Sequence, residues 1–298
     1  ETDPPTPNPP SFTTAPAPAS PTSASMTSVT GADATGPVQY FFTEGAGTCG
    51  ANNGTGGTNS AWQTGTSYTD TGLEPNHCYS YQVTMRDSET IPNYPSTSTA
   101  SSTYTNANVP GTLTFANVSS SSFDIINAEN SNPSANPTTN FAVYATSSDA
   151  TWNQRYVDAS GNPSVSAVWL TDAQIDNLTV TGLNELTLYD FEVVARNQDL
   201  VVTASSTLAG TTTIDLTAPA VDPVFATAPN PTAVDTINMI STTVTDPSAP
   251  VEYFFTAGTG SCGANVGTGG TNSAWQTSTT YNDAGLQANQ CYGYQVTA

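Results

Sequence analysis

Apolar residues along this chain come in short runs rich in Val, Ile, Thr, Tyr and Phe, separated by clusters of Gly, Pro, Asn and Ser. No 3.6-residue apolar period is sustained, so the pattern predicts strands rather than helices. In the first third the runs are Met26–Thr30, Val38–Thr43, Ala61–Thr69, Cys78–Met85 and Ser98–Thr103. In the middle third they are Leu113–Val118, Phe123–Ile126, Phe141–Ala145, Ser166–Leu170, Leu178–Thr181, Tyr189–Ala195 and Leu208–Thr213. About seven short strands per ~100 residues is the count of a two-sheet sandwich.

Sliding the sequence against itself by 213 positions brings residues 12–85 onto 225–298 without a gap. Cys49 falls on Cys262, Trp62 on Trp275 and Cys78 on Cys291, and GTGGTNSAWQT recurs intact. The stretch between the copies does not align to them without gaps, so the order is A, B, A, and an array of such modules is expected to continue. The expected domains are 1–104 (type A), 105–214 (type B) and 215–298 (type A again). The last is expected to be incomplete, because the first copy's run Ser98–Thr103 has no counterpart before Ala298. A natural polypeptide that continues past Ala298 is the expected remedy, and a strand donated by another subunit the alternative.

The segments GLEPNHCYSYQV, GLNELTLYDFEV and GLQANQCYGYQV each place a Leu six residues before a Tyr that opens an alternating strand. This resembles the tyrosine corner of fibronectin type III domains. The resemblance implies that Leu73, Leu183 and Leu286 enter the core and that Tyr79, Tyr189 and Tyr292 anchor the turn before the sixth strand. The A copies, with VQYFFTEGAGTCG and GTGGTNSAWQT, are similar to fibronectin-type repeats in very large secreted proteins of environmental bacteria. The expected fold is therefore all-β: tandem fibronectin type III-like (immunoglobulin-like) β-sandwich domains.

Each A copy carries two cysteines 29 residues apart, Cys49 and Cys78, then Cys262 and Cys291, whereas B has none. Two intradomain disulfides are the expected pairing. The alternative is a metal site, but two thiols with a single His in the chain do not complete a four-ligand zinc site. Cys78 precedes the inward-facing Tyr79, so a bridge there lies on the outer face of its sheet and staples the glycine-rich loop 44–60. That loop lacks the Lys and helix start of a phosphate cradle.

The chain has 24 acidic residues but only 3 Lys and Arg, for a net charge of −21. Without a basic patch, no nucleic-acid partner is expected and anionic membrane surfaces are disfavoured, and no apolar run is long enough to span a bilayer. Beginning at Glu1 without a Met, the chain is expected to be a processed or partial one, and extracellular or at a cell surface. A catalytic triad would need His77, which is Gln290 in the second copy, so no enzyme is expected and no cofactor is required. Calcium at the domain junctions is a weaker expectation, from Asp3, Asp215, Asp246 and the Arg86–Glu89 segment. Asn53, Asn117 and Asn177 begin glycosylation sequons, and the Ser/Thr-rich stretches 11–30 and 96–105 offer hydroxyls for O-linked sugars. Trp62 and Trp275 are either packed tryptophans or platforms for sugar stacking. Two functions remain: a structural spacer, stalk or filament whose partners are neighbouring domains or copies of itself, and an adhesive or carbohydrate-binding module that meets surface glycans.

Overall fold

A computed structural model describes residues 2–298 and divides the chain into two compact units, Glu1–Thr213 and Ile214–Ala298. The first unit begins with β1 (Phe12–Ser20), β2 (Ser23–Ser28), β3 (Gln39–Glu44), β4 (Ser67–Thr71), β5 (Cys78–Arg86) and β6 (Ser101–Tyr104). These form two antiparallel sheets, β1-β2-β4 and β3-β5-β6. The alternation of β5 sets the core between them: Tyr79, Tyr81, Val83 and Met85 meet Tyr40, Phe42, Ala24, Met26 and Leu73. Successive side chains of a strand point to opposite faces, which is why Cys78 and Ser80 lie on the outside of the sheet.

The same unit continues with β7 (Thr114–Ala116), β8 (Ser122–Ile126), β9 (Asn140–Ser147), β10 (Arg155–Val157), β11 (Pro163–Ser164), β12 (Leu170–Thr171), a one-turn helix α1 (Asp172–Ile175), β13 (Leu178–Thr181), β14 (Leu188–Arg196) and β15 (Ala209–Thr212). One sheet is β13-β8-β7 and the other β11-β10-β9-β14-β15, with β12 also on β9. A second core, separate from the first, packs Phe123, Phe141, Trp152, Leu178, Tyr189 and Phe191 between these sheets. The stretches expected to be domains 1–104 and 105–214 thus keep separate cores within one unit.

The second unit holds β16 (Phe225–Ala233), β17 (Thr236–Ser241), β18 (Phe254–Ala257), β19 (Thr280–Ala284) and β20 (Tyr294–Thr297), as sheets β16-β17-β19 and β18-β20. It repeats the first copy strand for strand up to Ala298, with Met239, Tyr253, Phe255 and Val296 in its core. Throughout, the molecule is all-β, with strands paired in the two-sheet manner of a fibronectin type III-like sandwich.

Three strand expectations differ from what forms. Residues 12–20, within the Ser/Thr-rich stretch 11–30 and outside the predicted runs, pair as β1, since β1 is an edge strand and its prolines, Pro16 and Pro18, sit where the register shifts between partners. The run Ala61–Thr69 is strand in β4 only from Ser67, because its first part lies along β3 of the other sheet, where Gln63 bridges Tyr40 and Trp62 packs on Phe41. Of Ser166–Leu170 only Leu170 pairs with β9, and Arg155 and Tyr156 take the neighbouring ladder.

Candidate functional site: the anchored loop and the module junction

Each tyrosine corner closes through the phenol. Tyr79, Tyr189 and Tyr292 accept the amide N–H of Glu74, Asn184 and Gln287 at 2.8, 2.8 and 2.6 Å. Leu73, Leu183 and Leu286 are buried beside them. In the A copies the phenol then donates to the glycine-rich loop, Tyr79 to Thr55 O at 2.7 Å and Tyr292 to Thr268 O at 2.9 Å. In B the acceptor is Asp149, at 2.9 Å. Burial pushes the Tyr79 and Tyr189 phenols up to about 12. Gly54 and Gly267 lie directly over the corner tyrosines, where a Cβ would meet the ring, so only glycine fits.

Cys49 is bonded to Cys78 and Cys262 to Cys291, holding the loop on the outer face of the sheet. A second anchor was not read from the sequence. Asp70, fully buried on β4, accepts Thr58 N–H at 2.9 Å, Thr58 Oγ1–H at 2.7 Å and Tyr81 O–H at 3.0 Å. Asp283 does the same with Thr271 N–H, Thr271 Oγ1–H and Tyr294 O–H, at 2.8, 2.7 and 2.8 Å. Burial first, then the Asp70 charge, holds the Tyr81 phenol far above its ordinary value. Ser60 and Ser273 complete the fastening through the amides of Phe42 and Phe255, both at 2.8 Å. The recurrence of Asp70 at Asp283 was the available signal.

Above the same sheet, Trp62 lies between Phe41, with ring centroids 5.3 Å apart, and the guanidinium of Arg86 at 4.3 Å, and Tyr94 flanks it at 5.8 Å. Type B repeats the arrangement with different strands: Arg196 stands 4.2 Å over Trp169. Arg86 and Arg196 occupy the same place, seven residues after the corner tyrosine at the end of the long strand. Two of the three cations of the chain are thereby laid on tryptophan rings. Trp275 packs on Phe254 at 5.3 Å and is 54% exposed, in a concavity also lined by Asp246, Pro250 and Glu252.

Where type A meets type B, inside the first unit, the contact is polar and buried. Asn76 is fully buried at φ 53°; its Nδ2 donates to Thr139 Oγ1 at 2.9 Å and its Oδ1 accepts the Gln198 amide at 2.9 Å. From the other side Asn197 Nδ2 donates to Thr105 O at 3.1 Å, and the Tyr104 amide donates to Asp199 Oδ2 at 3.1 Å. Buried amides that are fully bonded fix one relative placement and penalise others, since a slipped interface leaves them unpartnered. Sequence reading missed Asn76, whose role depends on a partner more than sixty residues away.

The sequon asparagines differ in setting. Asn117 and Asn177 are exposed, with Nδ2 donating to Asp124 Oδ2 at 2.6 Å and to Ala173 O at 2.8 Å. Asn53 is exposed as well but lies within the stapled loop, where it donates to Gly54 O at 3.2 Å. His77 faces the Pro75 carbonyl at 2.8 Å and the Glu74 carboxylate at 3.9 Å. Asp87 and Asp246, weighed as calcium ligands, accept hydrogen bonds from Asn93 and Ser248. Among the described residues no three His, Cys, Asp or Glu side chains are grouped to hold a metal, and no helix is long and apolar enough to cross a membrane.

No family model matches the chain, and no curated protein matches it. Among solved structures, the chicken CNTN1 FN1–FN3 domains are similar to it with a TM-score of 0.31 and 13% identity, over 99% of this chain and 93% of that one.

Proposed function

We propose that this chain is a non-catalytic structural spacer from an extracellular tandem array, in which an A module and the B module after it act as one stiff element. The observation that carries the reading is the buried interlock of Asn76, Thr139, Gln198, Asn197 and Thr105. Flexible linkers between modules leave few contacts across the boundary; here the boundary carries bonded, buried amides instead. Loops on such sandwiches are the usual place for binding, yet the longest loop of type A is tied down by a disulfide, a buried carboxylate and a serine. That suits a part whose shape must persist outside the cell, where disulfides endure. Imaging of the native particle tests this. Paired A–B elements at a constant angle are expected, and a freely jointed string of single modules would sink the proposal.

A further inference from the structure

All three tyrosine corners place a residue other than glycine in the left-handed region three positions before the tyrosine: Asn76 at φ 53°, Leu186 at φ 52° and Asn289 at φ 57°. The two corners of the first unit are otherwise built alike. Thr105 and Thr213 donate through Oγ1 to the carbonyls of Glu74 and Asn184, both at 2.6 Å. The same hydroxyls accept the amides of His77 and Thr187 at 3.1 and 3.0 Å. The backbone is therefore the constant and the left-handed side chain the variable. Glycine adopts such a φ without steric cost and asparagine is the side chain best tolerated there, so the turn accepts either, and the leucine of B is the departure. The neighbours of the A asparagine change between the copies, Pro75 to Ala288 and His77 to Gln290, while the asparagine stays. At position 76 the amide grips the B module. At position 186 a leucine offers neither donor nor acceptor, and the module that follows in sequence is of type A.

We propose that this left-handed residue selects the neighbouring module, and that the exposed Asn289 face of the second unit is a docking surface for a type B module. The occupant is specified by chemistry already present in the first unit. A B module brings a hydroxyl like that of Thr139 and an amide N–H like that of Gln198, which one asparagine side chain satisfies together. A leucine there would bury both without partners. The inference rests on the spacer reading and extends it from one A–B pair to a rule for succession.

The test grafts residues 86–213 directly after Ala298, the position aligned with Met85, so that the second unit acquires the continuation of the first. Hydrogen exchange then compares the grafted Gln198 amide with the native one. Similar protection is expected, with a loss of roughly five- to tenfold at the grafted amide alone in Asn289→Ala and Asn289→Gly; the glycine variant keeps the turn and removes only the amide. A grafted amide that these variants leave unchanged, or that is unprotected while the native one is protected, overturns the docking proposal and leaves the spacer reading standing. Asn76→Leu in the unextended chain keeps the question decidable if the graft does not fold. Faster exchange at Gln198 by a similar factor is expected, and undisturbed protection there would overturn the selection rule.

Discussion

The guanidinium of Arg86 lies 4.3 Å from the centre of the Trp62 ring, and its Nε donates to Gln39 Oε1 at 2.7 Å. A cation held over an indole and bonded along its edge contributes about 1–2 kcal/mol when partly desolvated. Arg86→Ala is expected to lower the stability of the A module by that amount, and Arg196→Ala to do the same for B. Denaturant unfolding followed by tryptophan emission separates the two. Arg86→Lys should recover only part of the loss, because an ammonium cannot lie flat on the ring.

Asp70→Ala removes the acceptor of four donors, the amide and hydroxyl of Thr58 and the hydroxyls of Tyr81 and Tyr68, in a buried site. A loss of about 3 kcal/mol is expected, larger than for an exposed carboxylate, since the orphaned Thr58 and Tyr81 groups stay away from water. Adding Thr58→Val on that background should cost little more, because the two residues act as one network. A clearly additive double variant would show that the loop is fastened some other way.

Reduction should loosen the A modules and spare B, which contains no cysteine. Opening Cys49–Cys78 costs about 3 kcal/mol by the chain-entropy relation for a loop of this size. Hydrogen exchange should rise first in residues 44–60 and their counterparts 257–273, with β9 and β14 unchanged. Equal loosening of B on reduction would contradict this.

Glu129 is pushed up to about 7, first by its hydrogen bond with Asp172, then by burial and by the charges of Asp172 and Asp176. Asn127 joins the same cluster, its side chain donating to Asp172 and its amide to Asp176. A raised carboxyl favours folding while protonated. Its contribution is therefore complete below about pH 4.5 and is lost as pH rises toward 7. The site is largely solvated, so the change should not exceed about 1 kcal/mol. Melting of the B core at pH 5 and pH 8 measures it, and Glu129→Gln should flatten the difference.

Much of this architecture was legible in the residues. Leu178–Thr181 forms the strand its alternation indicates, and the long strands after each corner tyrosine do likewise, because period-two patterning between two sheets leaves little choice of face. Equal cysteine spacing in both copies pointed to the bridges. What escaped depends on partners distant in sequence. Asp70 looks like one more polar residue until Thr58 and Tyr81 close on it, and Asn76 looks like a turn residue until Thr139 and Gln198 arrive. Pro16 and Pro18 disguised β1, since an edge strand tolerates residues that a central strand would reject.

The scarcity of cations also decides how the molecule meets its own kind. Arg86, Arg155 and Arg196 are all the Lys and Arg that the chain sets against 24 acidic residues, and the two stacked on indoles keep their charge. Two copies of a chain with a net charge of −21 therefore repel one another. Dissolved salt limits that repulsion to about 8 Å at physiological ionic strength. A protein of this charge is expected to stay dispersed at low ionic strength and to pack more closely as salt is added.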